Sequence, residues 1–195
     1  MLARALGRLM DQIYTEDLDL ADLPNAVDNK DFAEHWNVSI KFLELLSVHW
    51  PLILAEGCVI DAADRRNRLL NRLAEHWQSN PPRHRIIAAG STGSIPATAR
   101  LLKTVAGLPE GCIVLPGLDQ AMDEKSWKAM DDTHPQGTLR DLLKKLECGR
   151  DDVFIWPSSG AQTRAQATMR GFTSEIMRPA DTAQEWQSIN SRLSL

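Results

Sequence analysis

Cysteine is scarce in this sequence. Cys58, Cys112 and Cys148 are far apart, and none belongs to a Cys-x-x-Cys or Cys/His set with ligand spacing. A zinc site and a disulfide framework are therefore not expected, and a reduced, cytoplasmic setting fits best. Long apolar runs are missing too. The most apolar stretch, residues 48–55, is too short to span a membrane. Arg4, Arg8 and Asp11 break up any apolar core of a leader peptide. Neither sign of charge dominates: a net charge of −4 over 195 residues gives no global pull toward nucleic acid or membrane, although local patches remain open. Internal repeats and low-complexity tracts are absent as well.

The common catalytic patterns are also missing. A serine hydrolase needs its nucleophile on a strained Gly-x-Ser-x-Gly turn with a histidine base nearby. Ser91 and Ser94 follow an apolar run, but that pattern does not occur. His35, His49, His76, His84 and His134 are scattered, and packing explains them better than catalysis. A metal nuclease would place an acidic-x-Lys on a strand. Asp28-Asn-Lys30 and Asp123-Glu-Lys125 match that fragment but sit in polar stretches, which predicts solvated loops.

What is present centres on residues 85–119. Ile86 to Ala89 is a short apolar run stopped by Gly90, the mark of a buried strand. Ser94 and Pro96 mark a helix start, Ser as an acceptor for an orphan N–H and Pro as a residue that lacks one. Ile95, Ala99, Leu102 and Ala106 recur at helical spacing. Gly107 suits a left-handed position after the helix, and Pro109 bars its continuation. Residues 113–115 predict a second strand, parallel to the first across a short right-handed crossover. The turn between strand and helix is not a phosphate loop, because the Gly-Lys positions counted from Gly90 hold Ile95 and Pro96. The dinucleotide spacing fails too. A tight turn with a helix cap accounts for the glycines, with anion binding at the helix N-terminus as the weaker alternative.

The flanking chain reads as helices. Leu2, Leu6, Leu9 and Ile13 give one buried stripe. Residues 17–29 are an acidic loop, residues 30–49 are helical, and Pro51 ends or kinks that helix at Trp50. Asp61 can cap a helix whose stripe is Leu69, Leu70, Leu73 and Trp77. Its other face carries Arg65, Arg66, Arg68 and Arg72. Such a face is ordinarily solvated, here with Asp61, Asp64 and Glu75 as counter-charges; the sharper alternative is a strip that touches a phosphate backbone. Ser79-Asn-Pro-Pro82 is a break, so a helical module is expected over residues 1–80 and an α/β module over 81–195. In the second module, helices are expected near 124–130 and 139–146 and a third strand over 153–156. A long helix then carries Ala165, Met169, Phe172 and Ile176, and Thr182 with Glu185 forms a capping box before Trp186. The fold class is α/β: a helical module followed by a small parallel sheet flanked by helices. Because the chain starts inside one amphipathic helix and stops on another, a piece of a longer protein is expected.

One resemblance is carried by specific residues. Arg85-Ile-Ile-Ala-Ala-Gly-Ser-Thr-Gly-Ser-Ile-Pro-Ala-Thr-Ala-Arg-Leu-Leu, then Val-Leu-Pro-Gly-Leu-Asp119, then His134-Pro-Gln, then the helix from Leu139 to Leu146, resembles AddB. AddB is the nuclease-bearing subunit of the bacterial AddAB helicase–nuclease, and the likeness is to its alphaproteobacterial form. It is closest from about His84 to Trp156. It implies part of a superfamily 1 helicase-like core whose motor function has decayed, in a complex that processes broken DNA ends for recombination. DNA and an AddA-type helicase subunit are the implied partners, and no membrane is involved. An active motor has acidic residues where this chain reads Ala88-Ala89-Gly90, and the strand ending at Asp119 lies near the place of the next motor motif. Members of the family carry the nucleotide loop and the nuclease motif far from this stretch. No catalytic, cofactor-binding or metal residue is therefore assigned. Arg65, Arg66, Arg68 and Arg72 are the candidate DNA contacts, because the family's helical insertion touches duplex ahead of the motor. The alternative is a small α/β nucleotide- or sugar-phosphate-binding enzyme that uses the turn from Gly90 to Ser94.

Overall fold

The computed structural model of the chain describes residues 2–19, 42, 47–156 and 164–183. It is a mixed α/β protein, mostly helical, with one small parallel sheet of two strands. The chain divides into two compact units. The first comprises Met1–Pro81 with Ile95–Leu101, and the second Pro82–Ser94 with Leu102–Leu195. Helix α1 (Leu2–Thr15) and helix α2 (Ala62–Ser79) pack together in the first unit. The second holds strand β1 (Ile86–Ala89), strand β2 (Gly111–Val114), and helices α4 (Glu124–Ala129), α5 (Gly137–Leu146) and α6 (Arg164–Ile176). Helix α3 (Pro96–Ala106) is shared between the units.

The sheet is the predicted one in its pairing. Ile86 to Ala89 pair with Gly111 to Val114 in parallel register, and Gly90 N–H closes the ladder on the Val114 carbonyl at 3.0 Å. The second strand starts two residues earlier than its apolar run suggested. Only four residues, 107 to 110, separate α3 from β2. The approach is so close that a Cβ placed at Gly111 would stand 1.8 Å from the Val105 carbonyl oxygen. Glycine is needed at 111 for space. Gly107, by contrast, does not adopt the left-handed conformation expected of it; Gly90 (φ 77°), Gly93 (φ 63°) and Gly117 (φ 63°) do. Leu102, Val105 and Leu108 from this unit are buried with Leu139, Leu142 and Leu143 of α5.

Three expectations fail for identifiable reasons. Residues 153–156 are not a strand. A 3₁₀ turn, Arg150–Asp152, precedes them, the Gln120 side-chain amide donates to the Val153 carbonyl at 2.5 Å, and Phe154 is 92 % exposed. Of the two outcomes expected of Pro51, ending the helix is the one that fails: residues 47–56 are helical on both sides of it. That helix, α1 and α5 all stop on a left-handed residue that is not glycine: Cys58, Asp17 and Glu147. In each case the next amide bonds back five residues, as in Val59 N–H to the Leu54 carbonyl, which satisfies an orphan carbonyl. The expected apolar stripes are also rotated. In α1 the buried residues are Met10 and Ile13 while Leu9 is exposed, and in α6 the buried residue is Ser174 while Met169, Phe172 and Ile176 face outward. The acidic loop beyond Asp19, most of the 30–49 helix, Glu185 and Trp186 lie outside the described residues.

Gly111→Ala is expected to cost about 3 kcal/mol or more, because a main-chain oxygen must move. Gly90→Ala, where the Cβ meets nothing within 4 Å but φ is left-handed, is expected to cost only about 1–2 kcal/mol. Urea unfolding of the two variants checks this. Equal losses would mean that conformation rather than space dominates at both positions.

Candidate functional site

Helix α2 is built as the sequence suggests at its start and differently along its length. Asp61 caps it, its carboxylate accepting Ala63 N–H at 2.9 Å, and Asp64 adds a negative charge in the first turn. The buried positions are Ala63, Asn67 and Ala74. Leu69, assigned to the apolar stripe by hydropathy, is 57 % exposed. Small residues at 63 and 74 allow α1 to come close, and Asn67 supplies the polar contact between the helices. Its amide donates to the Tyr14 carbonyl at 2.6 Å, which also accepts Asp17 N–H, and, more weakly, to the Thr15 carbonyl at 3.4 Å, both in the last turn of α1. Asn67 is only 4 % exposed, and its Oδ1 has no partner.

That packing decides where the four arginines point. At about 100° per residue, Arg65, Arg68 and Arg72 fall within about 60° of one another on the side opposite Asn67. All are exposed. Arg66 lies about 100° around the helix from Arg65 and turns back to the end of α1, donating to Thr15 Oγ1 at 2.8 Å. On the other flank Arg100 donates to Asn71 Oδ1 at 2.8 Å and pairs with Asp17 at 2.8 Å. Arg100 was not singled out by its sequence position; no local pattern marks it. Arg68 is held in a two-point ion pair by Asp64, at 2.7 and 2.8 Å. The guanidinium groups of Arg65 and Arg72 form neither an ion pair nor a hydrogen bond among the described residues. The outer face of α2 is therefore a row of guanidinium groups of which two are uncommitted and one is paired.

The turn from Gly90 to Ser94 offers less. Ser91 Oγ accepts Gly93 N–H at 3.2 Å, so the turn uses its own hydroxyl. A Cβ at Gly93 would strike Leu142 Cδ1 at 2.7 Å, which seats the turn on α5. Pro96 is the first residue of α3, as a residue without an N–H should be. No lysine or arginine lies within the turn. The His134-Pro-Gln136 run is structural. Gln136 donates to the Gly117 carbonyl and accepts Asp119 N–H, both at 3.0 Å, tying down the loop that leaves β2. His134 accepts Gln136 N–H on Nδ1 at 3.1 Å and meets the Met177 carbonyl through Nε2 at 2.6 Å, which requires the Nε2–H tautomer.

Asp123-Glu-Lys125 is not a solvated loop: Asp123 caps, and Glu124 and Lys125 open, the helix expected near 124–130. Asp123 caps α4 through Ser126 N–H and Ser126 Oγ at 2.9 Å each, and pairs with Arg178 at 2.5 Å. Ser126 is completely buried, and its Oγ, which donates to Asp123, lies 2.9 Å from Thr182 Oγ1. Arg178 also pairs with Glu175 at 2.8 Å. Arg150 does similar work nearby: it donates to the Met122 carbonyl at 2.6 Å, pairs with Glu124 at 2.8 Å and stacks over Trp127 at 4.5 Å. These clusters hold the loops of the second unit. Among the described residues no group of His, Cys, Asp and Glu could hold a metal ion, and no helix is long and apolar enough to cross a membrane.

Partial burial would raise the carboxyl pKa of Asp123, but the hydrogen bonds from Ser126 and the charge of Arg178 outweigh it and hold that carboxyl below its ordinary range. A lowered folded-state pKa contributes stability that is present above the unfolded value, about 3.9, and is lost as pH falls through the folded one. Urea midpoints between pH 7 and pH 2.5 are therefore expected to hold steady down to about pH 5 and then fall, with a shallower fall in Asp123→Asn. The same acid-limb slope in both proteins would show that Asp123 is not linked to folding.

Comparison of the chain with protein-family models, with curated proteins and with solved structures found no match to any of them.

Proposed function

We propose that the chain is a catalytically silent, helicase-like region of an AddB-type subunit, which holds DNA and an AddA-type helicase subunit in the cytoplasm during double-strand-break processing for recombination. The observation that carries the reading is the outer face of α2, where Arg65 and Arg72 stand exposed and uncommitted beside Arg68. A guanidinium row on a rigid helix suits a phosphate backbone, because each neutralised phosphate releases condensed counterions. Catalytic silence is supported by the sheet. β1 ends in Ala88 and Ala89 and leads into a turn with no lysine, so it supplies neither a carboxylate for Mg²⁺ nor a cation for a β/γ-phosphate. The acidic net charge works against affinity, so binding by this chain alone is weak and steeply salt-dependent.

One observation favours the alternative, a small α/β enzyme that binds nucleotides or sugar phosphates. Gly90 is left-handed and nothing lies within 4 Å of where its Cβ would be, which leaves room for a ligand to approach the backbone.

Fluorescence anisotropy with forked DNA over about 50 to 200 mM salt tests the proposal. Arg65→Ala with Arg72→Ala is expected to weaken binding and flatten the log–log salt dependence by about one to two units. The fold should be unchanged, because substitutions at exposed positions away from caps and clusters seldom cost more than about 0.5 kcal/mol. An unchanged slope would mark the face as ordinary solvated surface. In the same preparation ATP–Mg²⁺ and nucleotide sugars are expected to leave the melting temperature where it is; a rise of several degrees with one of them favours the alternative.

A further inference from the structure

The arginine row contains its own acid, and the position of that acid sets how much positive charge the face can offer. Asp64 lies one turn before Arg68 and grips it at two points, Oδ2 to a terminal guanidinium nitrogen at 2.7 Å and Oδ1 to Nε at 2.8 Å. This is the fork-to-carboxylate geometry with which an arginine would meet a phosphate, so one partner excludes the other. Asp64 is only partly exposed, and it stands in the first turn of α2, where the helix N-terminus favours a negative charge. The carboxylate is thereby favoured where it stands, and the arginine is the more exposed partner of the two, 65 % against 25 %. Glu75, on the same side of the helix, is exposed and forms no ion pair among the described residues.

We propose that Asp64 is an intramolecular competitor for the phosphate that Arg68 would otherwise bind, so that the face engages a nucleic-acid backbone through Arg65 and Arg72 with Arg68 withheld. The inference rests on the phosphate-contact reading of α2. It makes the face a deliberately weak one: it takes up a backbone presented to it at close range and releases it readily when salt or a neighbouring site competes. Freeing Arg68 adds one contact.

The test is a double-variant cycle on the whole chain, read as the salt slope of binding to forked DNA. One added phosphate contact steepens the slope by about 0.9 on duplex DNA, which makes the affinity ratio between about 50 and 200 mM salt larger by roughly threefold to fourfold. Asp64→Asn is expected to produce that change. In an Arg68→Ala background the same substitution should leave the slope where it was. Glu75→Gln removes an equal charge without releasing an arginine, and it should raise affinity slightly with no change of slope. Asp64→Ser serves as a second neutral residue at the same position, and circular dichroism checks that the helix persists in each. A slope change from Asp64→Asn that is absent, that persists without Arg68, or that Glu75→Gln reproduces, overturns the competition. A slope indifferent to Arg65→Ala with Arg72→Ala overturns instead the reading on which it rests, and the two failures are distinguishable because they are read from different variants.

Discussion

A main-chain oxygen fixes the size of one residue at the centre of the second unit. The Val105 carbonyl, in the last turn of α3, occupies the place of a side chain at position 111. With glycine there, the chain leaves the helix and enters β2 after only four residues, and Gly111 falls into register with Ile86. That register carries the ladder to Gly90, whose N–H makes the last bond before the turn. The turn then seats its second left-handed glycine, Gly93, against Leu142 of α5. Strand pairing, turn position and the docking of α5 thus follow in sequence from one close approach.

A two-stranded parallel sheet is a weak scaffold by itself, since parallel sheets are ordinarily larger and covered on both faces. The second unit supplements it with side chains that bind backbone. Gln136 fastens the loop after β2, Arg150 gathers the Met122 carbonyl and Glu124, and Arg140 donates to the Met130 carbonyl at 2.5 Å and pairs with Asp132 at 3.0 Å. Charge-assisted bonds of this kind are stronger than neutral ones, and each guanidinium can serve several acceptors at once. Loops that would otherwise leave carbonyls unsatisfied are thereby ordered.

Most element types were legible in the sequence, the strand expected over 153–156 excepted, and element orientation was not. The strand from Ile86, the proline at the head of α3, the Asp61 cap and the helix over residues 139–146 all follow from local chemistry, which the nearest few residues decide. Orientation depends on what packs across. Hydropathy gives α2 a leucine face, yet Ala63, Asn67 and Ala74 are buried, because small residues admit α1 and an amide can close its carbonyls. A polar residue chosen for that reason has no hydrophobic signature. The run Val153-Phe-Ile-Trp156 has strand propensity, but Gln120, thirty-three residues away, takes the Val153 carbonyl, and no strand forms. The candidate arginines were legible as a cluster. Their division was not: the count of four does not reveal that Arg66 braces Thr15 or that Asp64 holds Arg68.

Burial separates the arginines of this protein into two kinds, and the separation decides which of them can meet a ligand. Arg140, Arg150 and Arg178 have side chains only 12 to 13 % exposed, each with a carboxylate and further oxygens around it. Withdrawing such a group would strand its acceptors and leave buried charge unpaired, which costs more than an exposed phosphate contact returns. They are committed to the fold whatever approaches. Arg65 and Arg72 carry the same charge with no such obligation, since their stems lie along a helix face turned to solvent and no acceptor waits for them among the described residues. A chain with a net negative charge can therefore present a locally positive row, because on this face of α2 only Arg68 is taken by an acid, while Arg65 and Arg72 keep their charge for solvent.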